Sequence, residues 1–198
     1  MKAKILILSC LSLFSSVIFS QNNTENRKWY IPSYINVQYA GNLGMFSTSA
    51  GYFLYEDKLY LDIGYGYTPS SKTGIDIHNA LIRLGYKPWK IELRFYNKEF
   101  FFRPFYFDLD ITKQLNSRYT WSELPNYYPK KYYHQNAVRI HLDLGLSIQH
   151  NFSRYKLELY YLVTTNDVYL TYFNYYYYNH WLHFDKIFTQ GLGFNFVF

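Results

Sequence analysis

The sequence predicts an all-β chain, closed into one antiparallel up-and-down barrel of about eight strands. Three observations predict it. Long segments alternate apolar and polar residues with a period of two, the side-chain period of a strand. Aromatic residues make up 23% of the 198 positions and charged residues only 17%, against about 25% charged in soluble domains. The polar positions of the alternating segments hold glycine, serine and isolated charges, not the Lys/Glu/Thr mixture of a solvated sheet face. The aromatic content excludes disorder, and the strand preference of Tyr and Phe argues against a coiled coil or helical solenoid.

In chain order, Lys2 and Lys4 precede an apolar stretch from Ile5 to Ile18 and the small Ser20. Residues 1–20 therefore read as an export signal peptide cleaved after Ser20. Its removal takes away Cys10, the one cysteine, and leaves 18 basic against 14 acidic residues, so the formal charge falls from +6 to +4. Such a chain has no disulfide to draw on for stability. Residues 21–32 read as a periplasmic N-terminal segment and residues 33–198 as the barrel. Strands are expected at about 33–41, 45–55, 58–68, 78–87, 100–113, 137–150, 155–173 and 186–198.

The clearest strand is Val138–Gln149. Its even positions are Val, Ile, Leu, Leu, Leu, Ile and its odd positions Arg, His, Asp, Gly, Ser, Gln. Leu59–Tyr67, Phe105–Thr112 and Gly191–Phe198 repeat the pattern. Residues 88–99 read as a long turn, and a phase shift near Thr165-Asn166 reads as a bulge. The long connections 69–77, 113–136 and 174–185 all fall at one end.

Alternation alone fits a soluble barrel, apolar inside and polar outside. The outside of such a barrel would carry more charge than this chain has. The opposite arrangement turns the apolar face to lipid and the polar face to a narrow interior, with aromatics as interfacial girdles. The expected fold class is accordingly a transmembrane β-barrel.

The last strand ends Phe194-Asn195-Phe196-Val197-Phe198. With the export signal and the alternating strands, it resembles the small OmpA-like and OmpX-like outer-membrane β-barrel proteins of Gram-negative bacteria. The resemblance covers roughly residues 30–198, as an architecture. It implies that Phe194, Phe196 and Phe198 form the signal read by the barrel-assembly machinery, and that the chain resides in the cell outer membrane. Outer-membrane lipid and lipopolysaccharide are then its surroundings, and an exported barrel has little access to nucleic acid.

Projected inward, the polar positions include Asp62, Arg83, Asp108, Asp110, Arg139, His141, Asp143, Lys156 and Glu158. In a barrel just wide enough for side chains to fill, these charges must pair, and a lumen-filling ion-pair network is expected. His141 and Ser147 invite a hydrolase reading, an enzyme acting on lipid A or phospholipid. Alternate strand positions lie roughly 6.5–7 Å apart, too far for Ser147 to hydrogen-bond His141. The lipid A deacylases also carry a His-x-Ser motif that this chain lacks. No catalytic residue, cofactor or metal is therefore expected. Two aromatic loops remain, with Trp121, Tyr127, Tyr128, Lys130, Lys131, Tyr132 and Tyr133 in one and Trp181 in the other. Tyr and Trp offer broad amphipathic contact area, so a structural or cell-surface interaction role is expected, through a surface ligand or protein. The competing expectations are the lipid-modifying enzyme and a narrow pore for small solutes.

Overall fold

A computed structural model describes residues 30–96, 98–116, 138–167, 170 and 187–198. The predicted signal segment and the aromatic loop residues lie outside these. Among the described residues nine strands are formed: β1 Tyr34–Ala40, β2 Phe46–Tyr55, β3 Leu59–Thr68, β4 Ile77–Tyr86, β5 Ile91–Phe95, β6 Lys98–Gln114, β7 Val138–Asn151, β8 Lys156–Asn166 and β9 Thr189–Val197. One helical turn, α1 at Ser70–Thr73, precedes β4 and ends on Gly74, whose φ of 77° is a left-handed cap.

All neighbouring strands are antiparallel. The order is β4-β3-β2-β1-β9-β8-β7-β6-β5, and β4 also pairs with β6. That last pairing closes eight strands into a barrel and leaves β5 outside the ring. The two chain ends meet across β1 and β9, from Tyr34↔Val197 to Ala40↔Gly191. We call the end at Tyr34 and Val197 the terminal end; Thr68, Ile77, Gln114, Val138, Asn166 and Thr189, the strand ends that lead into the long connections, lie at the opposite, loop end.

Two expected boundaries are corrected. The strand predicted at 155–173 ends at Asn166, and residues 88–99 are not a plain turn but hold β5 and the start of β6. Proline explains the second error. The β4–β6 ladder stops at Tyr86↔Phe107 and resumes in the same register at Ile91↔Phe102, on β5. Between these pairs lie Pro88 and Pro104 on opposite strands, and neither has an N–H to give the ladder. A one-residue bulge at the same level, between Arg103↔Ser147 and Tyr106↔Gly145, reverses the faces of β6 below it. Two prolines and a phase slip read as a loop when only the alternation is followed.

The polarity is inside out. Ile63, Ile82, Leu84, Leu109, Ile111, Leu142, Leu144, Leu146, Leu159 and Leu192 are exposed on the outer wall. Asn36, Gln38, Ser47, Ser49, Asp62, Arg83, Asp108, Asp110, Thr112, His141, Asp143, Ser147, Glu158 and Asn195 are buried within. Aromatic pairs flank this aliphatic belt at both ends. At the loop end Tyr39 and Phe46 lie 5.4 Å apart, and Tyr67 and His78 5.2 Å apart. At the terminal end a continuous chain of ring contacts runs Phe100–His150–Phe152–Tyr155–Phe196–Phe198, with centroids 4.6 to 5.8 Å apart.

Four tyrosines are buried within: Tyr34, Tyr60, Tyr106 and Tyr160. Each lies directly opposite a glycine, in the pairs Tyr34↔Gly51, Tyr60↔Gly85, Tyr106↔Gly145 and Tyr160↔Gly193. Each ring fills the space where the glycine's Cβ would stand. It then crosses that strand to a third: Tyr34 donates to Asp62, Tyr60 to Asp108 and Tyr160 to Gln38, while the Tyr106 ring meets Tyr160 edge-on at 6.1 Å. These pegs occupy alternate seams, β1–β2, β3–β4, β6–β7 and β8–β9. The seams between them are joined by polar clasps: Ser49 to Asp62 at 3.2 Å, Arg83 to Asp110 at 2.8 Å, Ser147 to Glu158 at 2.6 Å and Asn36 to Asn195 at 2.6 Å.

Candidate functional site

The lumen is where this fold concentrates chemistry, and strand alternation puts it there. Every second residue of β3, β4, β6, β7 and β8 points inward, so Asp62, Arg83, Asp108, Asp110, Asp143 and Glu158 converge from five strands. Burying a charge costs heavily unless it is paired. The pairing falls into two groups along the axis.

In the middle of the barrel Arg83 is surrounded by four carboxylates. It donates to both oxygens of Asp110, at 2.8 and 3.1 Å, and to Gln38 at 3.0 Å. Asp108, Asp62 and Asp143 lie 3.5, 3.7 and 3.9 Å from the same guanidinium. A planar fork with five donors can serve several acceptors at once, which a lysine could not do. Tyr34, Tyr60 and Ser49 supply hydroxyl donors to Asp62 and Asp108.

Nearer the terminal end Glu158 is the hub. Lys87 donates to both of its oxygens, at 2.9 and 2.7 Å; Ser147 and Asn195 add hydrogen bonds at 2.6 and 2.9 Å; Arg103 stands at 3.7 Å. Arg103 also reaches Asp57 in the β2–β3 turn, and Lys90 meets the same carboxylate at 2.9 Å. Burial pushes the Asp57 carboxyl up, but the hydrogen bonds and charges of Lys90 and Arg103 outweigh it and hold the group down at about 2.

Of the nine polar residues expected in the lumen, six therefore come together in these two groups: Asp62, Arg83, Asp108, Asp110, Asp143 and Glu158. His141 is buried closer to the loop end, where its Nε2 meets the Thr112 hydroxyl at 2.8 Å. Arg139, also near that end, is half-buried and donates to the Val138 carbonyl at 2.8 Å. Lys156 is a correction. Its phase points inward, but it is the first residue of β8, opposite Val197 at the rim, and its side chain is exposed. The cations buried in its stead are Lys87 and Arg103. Both lie beside the prolines: Arg103 falls out of phase across the bulge, whereas Lys87 keeps the inward phase of Arg83 and Gly85 just past the end of β4. The basic-acidic-basic neighbourhood Lys90, Asp57 and Arg103 has no signature in sequence spacing.

Between the two groups a polar cavity of about 10 Å³ is lined by Asn36, Tyr60, Asp62, Arg83, Lys87, Tyr106, Asp108, Tyr160 and Asn195. That is room for about one water. Toward the loop end Leu43 and Leu162 are buried, and Leu162 packs against the close approach of Gly41 and Gly191. Ser147 is committed to Glu158 and His141 to Thr112, so they take separate partners. Among the described residues no group of three or more His, Cys, Asp or Glu could hold a metal ion.

Phe194 and Phe196 point outward from β9, Phe194 exposed on the apolar wall and Phe196 in the terminal aromatic chain with Phe198. Trp121, Tyr127, Tyr128, Lys130, Lys131, Tyr132, Tyr133 and Trp181 lie outside the described residues. Compared with protein-family models, curated proteins and solved structures, the chain gives no match.

Proposed function

We infer that the protein is an outer-membrane β-barrel with a structural or cell-surface interaction role, similar in architecture to the small OmpA-like and OmpX-like barrels. One observation carries the reading: an exposed aliphatic belt encircles a polar, charged interior, with aromatic pairs at both edges of the belt. In water this arrangement would expose a cylinder of leucine and isoleucine and bury a set of charges, the reverse of what water favours. In a bilayer each face meets a compatible surrounding. Strands β2, β3 and β4 have 10 residues each, the length that spans a membrane when tilted. Phe194, Phe196 and Phe198 would serve as the strand read by the assembly machinery, and lipopolysaccharide would surround the loop end. Any ligand or protein contact falls to the aromatic loops.

The test is refolding into detergent and lipid. Folded protein is expected to migrate faster than boiled protein on a denaturing gel and to show β circular dichroism only with detergent or vesicles present. A water-soluble fold independent of detergent overturns the reading. Deletion of residues 119–134 tests the loops separately, by loss of adhesion or ligand binding from cells that still display the barrel. The pore and enzyme alternatives receive less support, since the cavity beside Arg83 has room for about one water and Ser147 and His141 take separate partners.

A further inference from the structure

We propose that the β5–β6 ribbon, the part of the sheet outside the closed ring, is a membrane-surface anchor that seats in the lipid headgroup layer at the terminal end. The proposal rests on the lipid-facing reading of the wall and extends it to a segment that closing the barrel does not require.

Register fixes the two faces of the ribbon. Phe102 pairs with Ile148, and Phe100 pairs with His150 and stacks on it at 4.6 Å. Ile148 is an exposed residue of the outer wall. Across the ribbon, Ile91 pairs with Phe102, Leu93 with Phe100 and Phe95 with Lys98. Directly paired residues share a face, so Ile91, Leu93, Phe95, Phe100 and Phe102 continue the apolar wall beyond the ring. The other face carries Glu92, Arg94 and Glu99, with Arg94 at 2.7 Å from Glu92 and 3.9 Å from Glu99, and a single ring, Phe101, covered by the Lys90 ammonium at 4.4 Å. The ribbon is thus amphipathic, and its apolar side is the lipid side.

Its depth follows from its edge. Among the described residues β5 pairs with β6 alone, so its outer edge offers backbone N–H and C=O groups that hydrocarbon cannot satisfy. The ribbon therefore stops at the level where water reaches that edge while its apolar face is still covered. That is the headgroup layer, as for interfacial amphipathic elements. The side chains at its ends suit that level. Trp89, where the ribbon leaves the ring, packs edge-on against Phe105 at 5.6 Å, and Trp favours the interface. Lys98, at the far end of the apolar face, can lay its stem along Phe95 and carry its ammonium to the phosphates. Edge-to-edge pairing with a second copy is a poorer fit. The two-fold axis of an antiparallel β5–β5 pair is normal to the sheet, hence in the membrane plane, and would turn the second barrel upside down.

Nitroxide labels test the proposal on full-length protein carrying Cys10→Ser and one of Glu92→Cys, Leu93→Cys, Phe95→Cys or the wall reference Leu144→Cys. The proteins are reconstituted in vesicles of phosphatidylethanolamine and phosphatidylglycerol. Collision rates with oxygen, which partitions into lipid, and with a water-soluble nickel chelate are then compared. Labels at 93 and 95 are expected to favour oxygen several-fold over the label at 92, at a shallower depth than the label at 144. If 93 and 95 meet the chelate as freely as 92 while 144 stays in lipid, the anchor is wrong and the lipid-facing wall stands. If 144 also meets the chelate freely, the wall reading itself fails. Labels at 93 and 95 shielded from both reagents mean that protein covers the ribbon, which also overturns the anchor.

Discussion

Arg83 on β4 donates to both carboxylate oxygens of Asp110 on β6, at 2.8 and 3.1 Å, while three further aspartates stand within 3.9 Å of it. Removing a lone buried partner of this kind leaves uncompensated charge and typically costs about 3–5 kcal/mol. Arg83→Met is expected to lose at least that much stability, read as the urea midpoint of heat-modifiable migration in detergent. Arg83→Lys keeps the charge but loses the bidentate geometry, and its midpoint should fall between wild type and Arg83→Met. A midpoint for Arg83→Met equal to wild type would refute the hub role.

The Tyr106 ring occupies the space over Gly145. Gly145→Ala should destabilise the barrel by about 1–3 kcal/mol, the cost of overpacking. In a double-mutant cycle with Tyr106→Ala the added methyl should cost far less, because the ring it meets is gone. Additive costs would mean that the two residues are not coupled.

Asp57 supplies the pH dependence. Its folded pKa, about 2, lies below the ordinary 3.8, so the stabilisation is present above the ordinary value and is lost as pH falls from about 4 through about 2. The group is one-third exposed, and with solvent screening the effect is on the order of 1 kcal/mol. Unfolding midpoints of wild type and Asp57→Asn, measured across this range, should differ at pH 6 and converge at pH 2. Parallel curves would exclude the ion pairs as the cause.

Between the Arg83 and Glu158 groups the cavity has space for about one water, and buried ion pairs fill the lumen on either side of it. Planar bilayers holding the refolded protein should show no steady channel current at neutral pH. Regular conductance steps would restore the pore reading.

Ser147 donates to Glu158 at 2.6 Å. Ser147→Ala should leave the lipid A profile of expressing cells unchanged by mass spectrometry, while costing about 1 kcal/mol for the lost hydrogen bond. A changed profile would revive the enzyme reading.

The sequence made the wall legible where alternation ran unbroken. Val138–Gln149 assigned its faces without error, because a strand offers two sides and the hydrophobic pattern distinguishes them. It misled where the chain departs from that period. Pro88, Pro104 and the bulge beside Tyr106 shift the phase, and with it went β5 and Arg103. Lys156 failed for the opposite reason: its phase was right, but β8 begins there, with no lumen around it. Alternation puts Tyr60, Tyr106 and Tyr160 in phase with Asp62, Asp108 and Glu158, but it does not say what such a ring meets inside. Only the register, which no single strand contains, pairs Tyr34 with Gly51 or Tyr160 with Gly193.

The alternation of pegs and clasps has a consequence for how the cylinder is completed. The eight strands form four two-strand tiles, each held inside by a tyrosine seated over a glycine. The joint between the first and last tiles, where β1 meets β9, is bridged by the amides of Asn36 and Asn195. The final closure therefore threads no ring into a glycine recess at that joint. Besides the backbone ladder, it asks that the amides of Asn36, Asn195 and Gln38 and the hydroxyl of Tyr160 find their partners, so this seam is clasped by hydrogen bonds rather than by a seated ring.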